Sequence, residues 1–223
     1  MRESSITSEV LARMQAAPRC TIFTVDDLVD LADEVTLRSS LFRLVEDQEI
    51  ARCIKGYFTI PYQMELVNQI AMPSTHDLAE KIAERYGWTI LPINEAVLNY
   101  LGLSTQVPVE LEYISTGPYR EVEYRGHTIK FKHTDQLTLL QLPKPNALVI
   151  QAIKAIGKDK LTQKDFDRLC VYYRSHGKEK LSQQPIKIPT WIRRILRKIE
   201  DENNGKIYQS KPSRTSLSFS GGC

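Results

Sequence analysis

The stretch from Thr36 to Pro61 constrains this chain more than any other, because a helical periodicity runs directly into a two-stranded one. Leu37, Leu41, Leu44 and Val45 recur at spacings of three and four, which predicts a helix starting with Thr36 as cap and ending near Gln48. Between Ile50 and Pro61, two short strand-like runs flank Lys55-Gly56, which is a hairpin signal. Upstream, Val10, Leu11 and Met14 predict a short helix over Thr7 to Met14 that Pro18 ends. Thr21-Ile22-Phe23-Thr24 reads as a brief strand, and Asp26 and Asp27 as the start of a helix through Leu28, Val29, Leu31 and Ala32. Helix, strand, helix, turn, helix, hairpin is the order of a winged helix-turn-helix, and residues 1–62 are assigned to such a DNA-binding unit.

A boundary falls at Met72-Pro73-Ser74. Beyond it a helix runs from Thr75 or His76 to Tyr86, stopped by Gly87, then come a strand at Trp88 to Leu91 and a helix from Glu95 to Leu101. Strands are expected at Glu110 to Ile114, Glu121 to Tyr124 and His127 to Lys132, the last two joined at Arg125-Gly126. Helices return at Ala147 to Ile156, Thr162 to Tyr173 and Pro189 to Glu200. The fold class is therefore α+β: a winged helix, then a mixed region closing in a helical bundle over 73–203. Residues 204–223 are polar and Ser-rich and are expected to form a mobile tail.

Turning the predicted second helix by ~100° per residue with its leucines inward sets Ser39, Phe42 and Arg43 outward and Arg38 at the edge. Arginine can donate a bidentate pair to guanine, serine can reach phosphate or base, and an apolar ring can meet a thymine methyl. Arg52 and Lys55 sit where a wing presses on phosphates. Charge runs against this reading, since residues 1–62 hold seven basic and ten acidic groups. Weak intrinsic affinity is expected, raised by a homodimer on DNA or by the basic C-terminal end, where residues 152–223 carry 16 Lys+Arg against 7 Asp+Glu.

The phosphate-cradling, dinucleotide, nucleophile-elbow and zinc-protease motifs are all missing, so the chain is read as a non-enzyme without cofactor or metal. His127 and His133 share a strand face with no third ligand in evidence, and Glu121 and Glu123 are read as cross-strand partners of Lys130 and Lys132. Cys20, Cys53, Cys170 and Cys223 show no metal spacing and are read as reduced, mostly buried thiols. No apolar run reaches the ~18 residues of a membrane span and no apolar leader opens the chain, which predicts a cytoplasmic protein.

Leu101-Gly-Leu-Ser-Thr-Gln-Val-Pro108, together with Ser39-Ser-Leu-Phe-Arg-Leu-Val45, Gly56-Tyr-Phe58, Thr116-Gly-Pro118 and Pro189-Thr-Trp-Ile192, resembles the AbiEi family of antitoxins. The resemblance spans roughly residues 5–200. It implies a type IV antitoxin of an AbiE-like abortive-infection system, whose winged helix represses its own operon and whose C-terminal region counteracts a nucleotidyltransferase-like toxin, directly or indirectly. Ser104, Thr105 and Gln106 in the loop after Gly102 are candidates for partner contact, as are Arg193, Arg194, Arg197 and Lys198 on the outer face of the last helix. The alternative is a ligand-responsive transcriptional regulator with no toxin partner, which requires a pocket with convergent polar groups.

Overall fold

Among the described residues, helices and three small sheets are arranged about three apolar clusters, so the fold is mixed α+β. The computed structural model describes residues 2–64, 69–135, 137–177, 180–183 and 186–209. The N-terminal cluster draws on α1 (Arg2–Ala16) through Val10 and Met14, on α2 (Glu34–Glu46) through Leu37, Leu41 and Leu44, and on Phe23, Leu28, Ile50 and Phe58. The hairpin forms as expected: β1 (Ala51–Ile54) pairs antiparallel with β2 (Tyr57–Thr59) around Gly56, whose φ of +83° suits glycine. Phe23 exchanges both backbone hydrogen bonds with Phe58, at 2.7 and 2.8 Å, and so extends this hairpin by a bridge.

Two local expectations are corrected by the fold. The helix foreseen from Asp26 through Ala32 is a single 3-10 turn, Val25–Leu28, opened by a Thr24–Asp27 capping box, and its two aspartates are spent on Arg85 and Lys81 of a later helix. The cap of α2 is Asp33 and not Thr36: its Oδ1 accepts from the Val35 and Thr36 amides at 3.0 Å, while Thr36 Oγ1 donates to Oδ2. A carboxylate also suits the positive end of the helix.

A second hairpin, β3 (Tyr62–Met64) with β4 (Gln69–Ala71), precedes the foreseen boundary, where sequence patterning predicts no strands. Beyond it, α3 (Thr75–Tyr86) is capped by a Ser74–Asp77 box and stopped by Gly87. The central sheet comprises β5 (Ile90–Pro92), β6 (Glu110–Ser115), β7 (Arg120–Tyr124) and β8 (His127–His133), ordered β5-β6-β8-β7, with β6 and β8 parallel and the other pairs antiparallel. Leu111, Tyr113, Ile129 and Phe131 alternate inward and bury Leu78, Ala79, Ile82 and Ala83 of α3. Gly117 lies where a Cβ would come within 2.2 Å of the Trp88 ring, so this bend admits only glycine.

The third cluster gathers α4 (Asn94–Tyr100), α6 (Lys144–Ile156), α7 (Gln163–His176) and α8 (Thr190–Gln209), with the short α5 (Leu137–Leu140) alongside. The stretch over Ala147–Ile153 of α6 is wholly buried and forms its centre. The expected tail boundary is also displaced, since α8 continues through Gln209. Asn203 is buried, donating to Ile199 O and accepting from Arg174 Nε at 3.0 Å each. Residues 210–223, the remainder of the expected tail, lie outside the described residues.

Candidate functional site

On α2 the amphipathic split falls where the leucine spacing puts it. Leu37, Leu41 and Leu44 are buried, while Arg38, Ser39, Phe42 and Arg43 are exposed, Phe42 by 52% of its surface. Arg38 is engaged by Glu34 one turn earlier on the same face. The hairpin follows directly, Ile50 N–H returning to Leu44 O at 3.2 Å. Lys55 occupies its exposed turn, and Arg52, also exposed, stands opposite Phe58 with its guanidinium 6.0 Å from the ring centre.

Three of the ten acidic groups of residues 1–62, Asp26, Asp27 and Asp30, are paired away from those residues, whereas Glu34 pairs with Arg38 itself. Asp33 caps α2, and Asp30 pairs with Arg13 at 2.6 Å. Asp26 meets Arg85 of α3 at 2.8 Å, and Asp27 meets Lys81 of the same helix at 2.7 Å. Burial alone would raise the Asp27 carboxyl, but hydrogen bonds from Lys81 and from the Thr24 amide and hydroxyl outweigh it and hold its pKa below the ordinary value. Arg85 also lies over the Tyr57 ring, 5.4 Å from its centre, and its guanidinium reaches the Gly56 turn. No sequence rule links Asp26-Asp27 to Lys81 and Arg85, which are more than fifty residues away; only the i,i+4 spacing of the two cations was legible.

The loop residues Ser104, Thr105 and Gln106 divide. Ser104 Oγ accepts from the Gln106 amide, and Gln106 O accepts from Asn99 Nδ2, so these two groups shape the loop. The Thr105 and Gln106 side chains remain exposed. On α8, Arg194, Arg197 and Lys198 are exposed, but Arg193 is half-buried and corrects the expectation of an outward cation. It donates to Ser182 O at 2.6 Å and to Ile186 O at 2.8 Å, and so ties the preceding segment onto the helix.

His127 and His133 each bond a loop carbonyl, Pro108 O and Gly117 O at 3.0 Å, and no group of three metal-ligating side chains occurs among the described residues. Lys130 does sit beside Glu121, at 3.8 Å, but closer to Glu110 at 2.7 Å. Lys132 pairs with Glu112 and not with Glu123, because β8 lies between β6 and β7 and finds carboxylates on both sides. Cys170 is buried, whereas Cys20 and Cys53 are only half-buried. Burial pushes the Cys53 thiol up to about 11, against a reactive thiolate. No helix among the described residues is long and apolar enough to cross a membrane.

A family model for a "family of unknown function (DUF6088)" matches residues 9–181. The chain belongs to that family. The matched span runs from within α1 to the 3-10 turn at Leu181–Gln183, so it takes in α2, the hairpin and the central sheet. No curated protein matches the chain. Among solved structures, the Rv2827c protein from Mycobacterium tuberculosis is similar at a TM-score of 0.42 and 14% identity, over 89% of this chain and 77% of that one. Likeness at that level establishes nothing about function.

Sequence reasoning missed one polar cluster. His76 is half-buried between Asn99, Tyr100 and Tyr113. Its signal was present: His76, Ala79 and Ala83 recur at three and seven, on the inward face of α3. Because Asn99 Nδ2 donates to Gln106 O, Asn99 Oδ1 faces His76 and accepts from Nε2–H at 3.1 Å, which leaves Nδ1 to accept from the Tyr113 hydroxyl.

Proposed function

We propose that this protein is a DNA-binding antitoxin of an AbiE-like type IV system that represses its own operon through an N-terminal winged helix. The observation that carries the DNA-binding half is the exposed face of α2, with Arg38, Ser39, Phe42 and Arg43, leading directly into a hairpin that exposes Arg52 and Lys55. Pairing of Asp26 and Asp27 with Arg85 and Lys81, cations from outside the unit, lowers the repulsion a phosphate backbone would meet. The antitoxin half rests on the resemblance of the Leu101–Pro108 run and its companion segments, with the exposed Thr105, Gln106, Arg194, Arg197 and Lys198 as the surface offered to a toxin.

A gel-shift titration on the protein's own promoter, at several salt concentrations, tests the DNA-binding half. Changing Arg38 or Arg43 to Ala is expected to cost about 1–3 kcal/mol on that promoter and less on unrelated DNA. Changing Arg52 or Lys55 to Ala should weaken all sequences alike and lower the salt slope by about one for each phosphate no longer neutralised. Unchanged affinity in the Arg38→Ala/Arg43→Ala double variant would remove α2 from the reading role. Reading the neighbouring genes for a nucleotidyltransferase-like toxin, and co-expressing it with this protein with growth as the score, tests the antitoxin half; a neighbourhood without such a gene overturns it.

A further inference from the structure

A cleft of about 340 Å³ opens where four segments remote in sequence meet. They are the Met72-Pro73 linker with the start of α3, Asn99 of α4, Val107 in the loop before β6, and the β7–β8 turn with Arg125 and His127. Its size falls near the lower end of the ~300–1,000 Å³ of small-molecule sites. The lining is chemically one-sided: no carboxylate faces it, although residues 1–151 contain 20 Asp+Glu. Glu121 and Glu123 on the adjoining strand are occupied elsewhere, Glu121 with Lys130 and the Tyr119 hydroxyl and Glu123 with Thr128 Oγ1.

His76 and Asn99 saturate one another and the Gln106 carbonyl, which makes them a fixed floor. Arg125 is exposed, meets the Tyr124 hydroxyl and has no carboxylate partner among the described residues. His127 donates Nδ1–H to Pro108 O at 3.0 Å, which leaves Nε2 without a hydrogen bond among the described residues. Val107, 52% exposed, supplies an apolar wall. A guanidinium without an anion, an accepting ring nitrogen and an apolar wall about one concavity are the elements of recognition for a small organic anion that also carries a hydrogen-bond donor.

We propose that this cleft binds a small molecule bearing an oxyanion, phosphate or carboxylate, with that group on Arg125, a hydroxyl or amine that donates to His127 Nε2 and an apolar body against Val107. The proposal does not depend on DNA binding. Because Tyr124 touches both Arg125 and Cys53 of β1, an occupant would sit one side chain from the hairpin.

The test is an amide chemical-shift titration of the full chain with inorganic phosphate and, separately, with benzoate. Saturable shifts at Arg125, Gly126 and His127 in the millimolar range are expected for at least one probe; phosphate alone assigns a phosphoryl group, and benzoate alone a carboxylate with its ring. Arg125 has φ +51°, so Arg125→Asn removes the guanidinium while tolerating the turn. It should weaken the responding probe roughly ten-fold. Val107→Glu, at the exposed wall, should do the same by repulsion without touching the turn, and it decides the matter if Arg125→Asn alters the fold. Lys164→Gln, at an exposed cation of α7 away from the cleft, should bind as the unchanged protein does. Absence of saturation with either probe, unchanged binding in Val107→Glu, or equal loss in Lys164→Gln would overturn the proposal.

Discussion

His76 shows how one residue can carry a pH dependence that its neighbours in sequence do not announce. Burial lowers its pKa from the usual 6.5, outweighing the Asn99 hydrogen bond that favours the charged ring. A base whose folded pKa is depressed binds fewer protons folded than unfolded. Its contribution to stability is therefore full above about pH 6.5 and is lost as pH falls toward and through the folded pKa. Denaturant melts of the protein should accordingly weaken as pH drops below about 6.5, and His76→Gln, less stable at neutral pH, should show a flatter profile in that window. An identical slope in the variant would assign the acid sensitivity to other groups. The ring's tautomer follows from Asn99, whose amide orientation is set by the Gln106 carbonyl. A lone histidine in a sequence thus acquires its role from a loop thirty residues downstream.

At the scale of the element, α8 separates cations that sequence spacing groups together. Ile192, Leu196 and Ile199 bury one face, as their spacing requires, and the opposite face presents Arg194, Arg197 and Lys198. Arg193 falls between the two and spends its guanidinium on Ser182 O and Ile186 O, while Glu200 on the same helix accepts from Ser182 N–H and Oγ. Charge-assisted hydrogen bonds of this kind are worth ~1.5–3 kcal/mol, so Arg193→Gln should lower stability by about that amount. The triple change of Arg194, Arg197 and Lys198 to Gln should move it by less than ~0.5 kcal/mol. Chemical denaturation separates the two cases, and equal effects would mean that Arg193 is ordinary surface. Under the proposed antitoxin function, with the basic face of α8 as the contact surface, the triple variant is expected to lose protection in co-expression with its fold intact.

At the scale of the whole molecule, α3 holds the N-terminal unit to the rest of the chain through Lys81 and Arg85. The Lys81 and Asp27 side chains are 15% and 30% exposed, between the surface pairs worth ~0.2–1 kcal/mol and the buried ones whose rupture costs ~3–5. Lys81→Gln with Arg85→Gln should therefore cost roughly 2 kcal/mol and lower the thermal midpoint by about 4–8 °C. Hydrogen exchange should rise in β1 and β2, where Arg85 covers Tyr57. Unchanged protection there would show that the hairpin does not depend on α3. The Asp27 share of this tie is present above the ordinary carboxylate pKa of about 4 and is lost as pH falls through its depressed folded value.

What the sequence determined by itself is local and periodic. Leucines at three and four fixed the buried face of α2, and alternation fixed the inward residues of β6 and β8. Lys55-Gly56 and Arg125-Gly126 fixed two turns, and Gly87 one helix end. These depend on neighbours a few residues away, and side-chain spacing encodes them directly. Tertiary structure decided the rest: the collapse of the Asp26–Ala32 segment to one 3-10 turn, the insertion of β8 between β6 and β7, the burial of His76, the engagement of Arg193 and the continuation of α8 past Asn203. Each turns on a partner far along the chain or on a single specific hydrogen bond. A polar side chain's choice between solvent and such a partner is set by geometry that periodicity does not contain.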